Sequence, residues 1–471
     1  MKSTSSLPRR DWLKLAALTG AATILPQQAV QAEPTPAHSK KRTRGVIFMV
    51  SDGMSPGVLT LAEMFSQLTR RRSTTWHDLL QDPTATCGLM DTASANSRVT
   101  DSAAASSAWG SGHRVNNGSI NVAPDGTPLT PIFAVLKEKG ALTGLVTTAT
   151  ATHATPAGFA ASSRKRGNED SIAAQYLNRV DIILGGGTGR FTADKRKDKR
   201  DLAGEFSQAG YDVLTHRDAL LAAKGQKLLG TFYPGHLPYS IDRDRDPSLA
   251  AAVPTLSEMT EAALSRLFAS GKPFLLQVEG ARIDHAAHLN DIAGLIHDQL
   301  AFDDAIATVF KLIGNLDDIL VVITSDHGNS NPGLMGMGPT YSESDKCFAK
   351  IARHTASHEF LFRQWRRTPN GNADQLTALV REHLHYTLKS DEANALVDIF
   401  NKRGVVEWND QLEKPEGLLG QFTGNHTGIG WTGTTHSSDP TLVTAKGPGA
   451  EKFSGLILNK DVFGHLVELL G

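Results

Sequence analysis

The segment Phe274-Leu-Leu-Gln-Val-Glu279-Gly-Ala-Arg-Ile-Asp284-His285-Ala-Ala-His288 is a short apolar run that ends abruptly in carboxylates and imidazoles. An unpaired carboxylate at the mouth of a buried strand is costly, so Glu279 calls for a cationic partner there. If the chain turns helical after the strand, Asp284 and His288 fall at i and i+4 on one helical face, a spacing that suits two ligands of one divalent ion. The alternative for this segment taken alone is a helix N-terminus whose acidic residues favour the dipole and whose histidines lie on a solvated surface.

Working outward, similar apolar runs occur at Val46–Val50, Ala141–Thr147, Val180–Leu184 and Ile319–Thr324, separated by longer Ala- and Leu-rich stretches. Near-continuous apolar runs of this length suit strands covered on both faces, as in a parallel sheet. The expected fold class is therefore α/β, a doubly wound, mostly parallel sheet flanked by helices. Ligands of such sheets gather beyond the carboxyl ends of the strands. Ser51-Asp52, the stretch from Thr148 to His153, Glu279 and Ser325-Asp326-His327 all follow these runs and are expected on one rim.

A chain of 471 residues with 40% hydrophobic content can bury one large core or two moderate ones. Lys+Arg 48 against Asp+Glu 49 leaves no global field to draw it to a nucleic acid polymer or an anionic membrane. With Cys87 and Cys347 as its only cysteines, the chain is neither a disulfide scaffold nor the holder of a cysteine-built zinc site. Residues 1–32 read as a twin-arginine-type signal peptide: Arg9-Arg10, then Asp11-Trp12-Leu13-Lys14, a weakly apolar stretch and Val30-Gln31-Ala32 as a cleavage site. A Sec-type leader is the alternative, and either one implies export to the periplasm or the medium. No later run reaches the ~18 apolar residues of a membrane span. Residues 33–44 read as a linker and 45–471 as the main domain. Two regions look added to its core: residues 190–250, whose charge runs Lys195–Arg200 and Asp242–Asp246 read as solvated surface, and a helical insertion at about 340–420.

Asp52, in Ser51-Asp52-Gly53-Met54, is on its own a turn residue or cap. In Thr100-Asp101-Ser102-Ala-Ala-Ala, Asp101 has the signature of an N-cap, which presents Ser102 where free N–H groups and the helix dipole favour an anion. A serine there attacks phosphorus once metal coordination lowers its pKa. The stretch from Thr150 through His153, Thr155 and Arg164-Lys165-Arg166 places an imidazole, a hydroxyl and arginines just past a strand, and the arginine fork matches phosphate oxygens. Adjacent Asp326 and His327 can turn onto one ion, and His436 precedes an apolar strand at Leu442-Val443. Each signal alone is weak, but their convergence on one rim is not.

In order and spacing, these motifs together resemble the alkaline phosphatase family from about Gly45 to the C-terminus. The resemblance implies a phosphomonoester hydrolase with two Zn2+ and one Mg2+. Ser102 would be the nucleophile that carries a phosphoserine intermediate. Asp284, His288 and His436 would hold one zinc, and Asp52, Asp326 and His327 the second. Asp52, Thr155 and Glu279 would face the magnesium. Asp101, His153 and His285 would stand behind these groups, and the two histidines depart from the commonest family pattern, which leaves the third metal's identity open. The family spacing counted from Thr155 reaches Arg166 as the phosphate clamp, with Arg164 as its rival; His426, in Asn425-His426-Thr427-Gly428, rivals His436. A phosphodiesterase or sulfatase on the same scaffold, or a non-catalytic phosphate- or metal-binding relative, are the competing functions. The 340–420 insertion either covers the site or forms a homodimer contact.

Overall fold

The computed structural model describes residues 43–368, 371–403 and 414–471. The expected leader and most of the expected linker lie outside the described residues. The strands are β1 (Gly45–Ser51), β2 (Thr86–Asp91), β3 (Leu142–Thr150), β4 (Ile182–Gly186), β5 (Tyr211–Leu214), β6 (Lys227–Thr231) and β7 (Phe274–Gly280). They continue with β8 (Ile319–Thr324), β9 (Gly328–Asn329), β10 (Gly333–Leu334), β11 (Ile429–Gly430), β12 (His436–Ser437), β13 (Thr441–Lys446) and β14 (Gly455–Leu458).

Ten of these build one sheet in the order β14-β2-β13-β8-β1-β7-β3-β4-β6-β5. The pairs β1–β7, β1–β8 and β3–β7 are parallel, whereas β13 runs antiparallel to β8. The amino end of β13 therefore lies on the same rim as the carboxyl ends of β1, β3, β7 and β8. A reversed strand is thus what brings His436, far along the chain, to the residues that follow those strands.

Every residue of β1, β7 and β8 is buried, as expected for strands covered on both faces. Alternate side chains enter opposite cores: Ile47 and Met49 pack with Val146, Leu276 and Ile323, while Val46, Phe48 and Val50 pack with Leu145 and Leu275. The first core is closed by helices Pro56–Arg70, Leu256–Ser270 and Ile292–Ile313, and the second by Ser102–Ser111, Ala154–Ala160 and Asp461–Leu470. Helices His358–Arg367, Ala373–Leu384, Ser390–Phe400 and Pro415–Phe422 gather around a core of their own that includes Leu361, Trp365, Leu376 and Leu419.

The expectation that residues 190–250 are an addition to the core is corrected by the structure, although most residues of the two charge runs are exposed as expected, Arg196 and Asp242 being the buried exceptions. β5 and β6 within it extend the main sheet next to β4. Arg196, in the middle of the charge run, is 1% exposed and is bonded to Asp198 and to the carbonyls of Asp170 and Arg190. An arginine whose fork is saturated in this way is a staple rather than a surface charge. Cys87 and Cys347 are free thiols. Among the described residues no helix is long and apolar enough to cross a membrane.

Candidate active site

The site is assembled at the carboxyl rim. Gly53, directly after Asp52, has φ +67°, and a Cβ there would sit 2.5 Å from Asp284 Oδ1. Glycine is therefore required where the β1 loop passes the Asp284 helix. The Gly53 N–H donates to Asp326 Oδ1 at 3.0 Å, which ties the loops after β1 and β8 together.

Asp284 and His288 lie on the helix Arg282–His288, in the i, i+4 relation, with Oδ2 and Nε2 3.4 Å apart. His436 brings its Nε2 to 3.5 Å from Asp284 Oδ1 and 3.0 Å from His288 Nε2. The Nδ1 atoms of His288 and His436 donate to the carbonyls of Thr434 and Thr100, at 2.7 and 2.8 Å. With protons held on Nδ1, the two facing Nε2 atoms carry lone pairs. Lone pairs at 3.0 Å repel unless a cation lies between them, and a backbone carbonyl behind each imidazole is the usual support of a metal ligand. Positive charge at this spot, carried by protonated His288, His436 and His327 when no cation is bound, holds the Asp284 carboxyl well below the usual range, overcoming the burial that would raise it.

A second group adjoins this one. The His327 ring stacks on that of His436, with centroids 3.6 Å apart. Its Nε2 lies 3.0 Å from Asp326 Oδ2 and 3.7 Å from Asp52 Oδ1, with all three side chains fully buried. Neither carboxylate oxygen of Asp52 has a hydrogen-bond partner. Burial, and after it the charge of Asp326, pushes the Asp52 carboxyl well above its ordinary value. Glu279 accepts from Thr147 Oγ1 at 2.5 Å through Oε2, while its Oε1 and the Thr155 hydroxyl are buried without partners. Burial pushes Glu279 up to about 7. Ligand atoms of Asp284, His288 and His436, of Asp52, Asp326 and His327, and of Asp52, His153 and Glu279 lie within 4.8 Å of one another in each set. Buried carboxylates without donors and imidazole lone pairs facing one another fit divalent cations. The third set carries His153 as a nitrogen donor beside the oxygens, a mixture that widens the choice of metal beyond magnesium.

Ser102 opens the helix Ser102–Ser111, capped by Asp101, whose Oδ1 accepts from the Ala104 N–H at 2.9 Å. Its Oγ lies 3.3 Å from His327 Nε2. Ser106 donates to the Thr155 carbonyl at 2.5 Å, and Gly110 packs so tightly on Gly158 that a side chain there would strike its carbonyl. The helix bearing Ser102 is thereby locked to the one bearing Thr155. Arg166 reaches Asp101 Oδ2 through Nη1 and His153 Nε2 through Nη2, each at 3.1 Å, whereas the Arg164 guanidinium lies beside Gly126. His426 sits on the short helix Gly424–Thr427 facing Tyr386, outside all three sets. Arg166→Ala is expected to raise KM and the inhibition constant of inorganic phosphate roughly 10- to 100-fold, the value of a charge-assisted fork, in steady-state assays.

Three neighbours escaped the sequence reading. His236 packs its ring against His285 at 4.5 Å and His153 at 5.5 Å. It follows β6 in Tyr233-Pro-Gly-His236, and the short apolar run before it was the signal that would have found it. Arg282 donates to His285 Nδ1 at 2.7 Å, and Asn329 donates to Asp284 Oδ1 at 2.7 Å.

A hydroxyl at a helix N-terminus, beside adjoining ligand sets and an arginine fork, is the layout of a metal-assisted hydrolase of phosphoesters. The chain belongs to the alkaline phosphatase family, whose model matches residues 43–471. It is 33% identical over 389 residues to alkaline phosphatase 3 of Bacillus subtilis (strain 168), covering 79% of this chain and 77% of that protein. It is 30% identical over 446 residues to alkaline phosphatase 4 of the same organism, covering 92% and 89%. The crystal structure of Thermus thermophilus alkaline phosphatase aligns with a TM-score of 0.85 at 34% identity, covering 95% of this chain and 96% of that one. The family consists of metal-dependent phosphomonoester hydrolases, and this chain is an enzyme of that kind.

Proposed function

We propose that this protein is an exported phosphomonoesterase of broad range that works through a phosphoserine at Ser102. The observation that carries the reading is the Ser102 hydroxyl at a helix N-terminus, 3.3 Å from His327 Nε2 and beside two adjoining ligand sets. Asp284, His288 and His436 would hold one Zn2+, Asp52, Asp326 and His327 a second, and Asp52, Glu279 and Thr155 a Mg2+, with His153 at its edge. Divalent cations held there supply Lewis acidity to the reacting oxygens and make hydroxyl groups more acidic.

The chain's own residues account for the rest. Ser102 Oγ attacks phosphorus, the phosphorus–ester oxygen bond breaks and the alcohol leaves with a proton. Water then cleaves the phosphoserine, regenerating the hydroxyl and releasing inorganic phosphate. The Ser102 helix end and Arg166 stabilise charge on the nonbridging oxygens, where the transition state spreads it. Asp101 holds both, since it caps the helix with one oxygen and accepts from Arg166 with the other. These contacts address the phosphoryl group rather than the alcohol, which supports a broad substrate range. Arg9-Arg10 and the stretch that follows support export by a twin-arginine route.

Release of p-nitrophenol from its phosphate ester by the zinc- and magnesium-loaded protein tests the reading. Turnover is the expected result, and an inert metal-loaded protein would overturn it. Glu279→Ala is expected to lose one metal equivalent per chain while the two histidine-bearing sets keep theirs, as read by metal analysis after dialysis; loss of all three would break the partition.

A further inference from the structure

We propose that Glu359, on a helix of the 340–420 region, is a positioning residue for the phosphate site, acting through Arg282 on His285. The proposal rests on the phosphomonoesterase reading of the rim. Arg282 is 3% exposed, and its guanidinium lies over the Tyr239 ring at 3.8 Å. Its Nη2 donates to Glu359 Oε2 at 2.5 Å and its Nη1 donates to His285 Nδ1 at 2.7 Å. Arginine has donors only, so the lone pair of His285 is held on Nδ1 and its proton on Nε2. His285 is thus fixed as a neutral imidazole with one invariant N–H donor, directly beside the ligand residue Asp284.

Glu359 does not owe its place to Arg282. It stands in the first turn of the helix His358–Arg367, whose start is fastened from other directions. The Ser357 N–H and hydroxyl both donate to Asp242, at 2.9 and 2.6 Å. The His358 N–H donates at 2.7 Å to Asp291 Oδ2, the cap of the helix that follows His288. The carboxylate is therefore presented to Arg282 by a docked helix end. On the other side, the His285 ring is 5.7 Å from that of His153, whose Nε2 accepts from Arg166. The imidazoles are held between two arginines, one anchored by Glu359 and the other by Asp101. Without Glu359 the buried guanidinium would lose the carboxylate that fixes its Nη2 edge and would be free to turn over the Tyr239 ring, taking the hydrogen bond away from His285 Nδ1 and leaving its tautomer and orientation unfixed.

The test is a double-mutant cycle on the metal-loaded full chain: wild type, Glu359→Gln, His285→Ala and the double variant. Inorganic phosphate affinity is read by calorimetry, and KM and kcat with p-nitrophenyl phosphate. Glu359→Gln is expected to weaken phosphate binding and raise KM roughly 3- to 10-fold with kcat within about twofold of wild type. In the His285→Ala background the same change is expected to have no further effect. As a control, Arg366→Ala removes the ion pair from Arg366, on the same helix as Glu359, to Glu416 on the helix Pro415–Phe422 without touching Arg282, and is expected to bind phosphate like wild type. Unchanged phosphate affinity in Glu359→Gln, an equal loss with and without His285, or an equal loss in Arg366→Ala would overturn the proposal. A wild type that neither binds phosphate nor hydrolyses the ester would instead be a failure of the phosphomonoesterase reading.

Discussion

Ser102→Ala is expected to lower kcat for p-nitrophenyl phosphate by on the order of 10^3-fold or more, while metal content is unchanged and KM moves by only a few fold. Ser102 is 2% exposed and starts its helix, so alanine keeps the local fold: alanine is the best helix former, and the Asp101 cap is untouched. The stability change is expected to stay within about 1 kcal/mol, which a thermal melt will show. On the proposed mechanism, what is lost is the oxygen that attacks phosphorus. The proposal assigns binding to Arg166, the helix end and the ligand sets, all of which remain, so the change is expected to fall on the chemical step. Residual turnover would be left to water in the place of the hydroxyl.

Exhaustive chelation is expected to remove activity to background and to lower Tm by roughly 10 °C or more at pH 8, since each tightly bound ion adds several kcal/mol of linkage to the native state. The carboxylate part of the loss has a pH signature of definite sign. Without cations, and with His327 holding Asp326 low against the effect of burial, it is Asp52 and Glu279 that must take up protons, burial raising Glu279 from 4.5 to about 7 in the folded state. A raised folded-state pKa means that this group's favourable contribution is complete below about 4.5 and is lost as pH rises through about 7. That share of the metal-free protein's stability is therefore expected to fall from pH 6 to pH 8, and Glu279→Gln to remove it, whereas imidazoles such as His236 and His436, each lowered to about 4 by burial, act in the opposite sense. The metal-loaded protein should melt higher at pH 8 than at pH 6, because acid protonates the carboxylates and imidazoles that bind the ions. A pH dependence of the metal-free melt that is the same in wild type and Glu279→Gln would count against the buried carboxylate cluster.

The parts of the fold that the sequence made legible are those governed by local rules. β1, β3, β7 and β8 are continuous apolar runs because both of their faces are covered, and the chemistry-bearing residues come directly after them. β2 escaped notice because its burial alternates at the sheet's margin, and β5 and β6 because charge runs surround them. Arg196 shows why such runs mislead, since its burial depends on carbonyls that no local pattern announces. Asp284 and His288 were legible from their helical spacing, but the choice of His436 over His426 rests on the reversed strand β13, which a sequence suggests only through the apolar pair Leu442-Val443. Arg282 and Glu359 were invisible because their pairing crosses from the main sheet to a separate helical region. His236 was passed over because its strand was.

The measurement that tests the account most directly is chemical trapping. The metal-loaded enzyme, mixed with a phosphate-labelled ester and quenched in acid during turnover, is digested and its labelled peptide sequenced. Phosphoserine at Ser102 is expected, approaching one label per chain and absent from Ser102→Ala. Rapid turnover with no covalent phosphate, or label on any other residue, would contradict it.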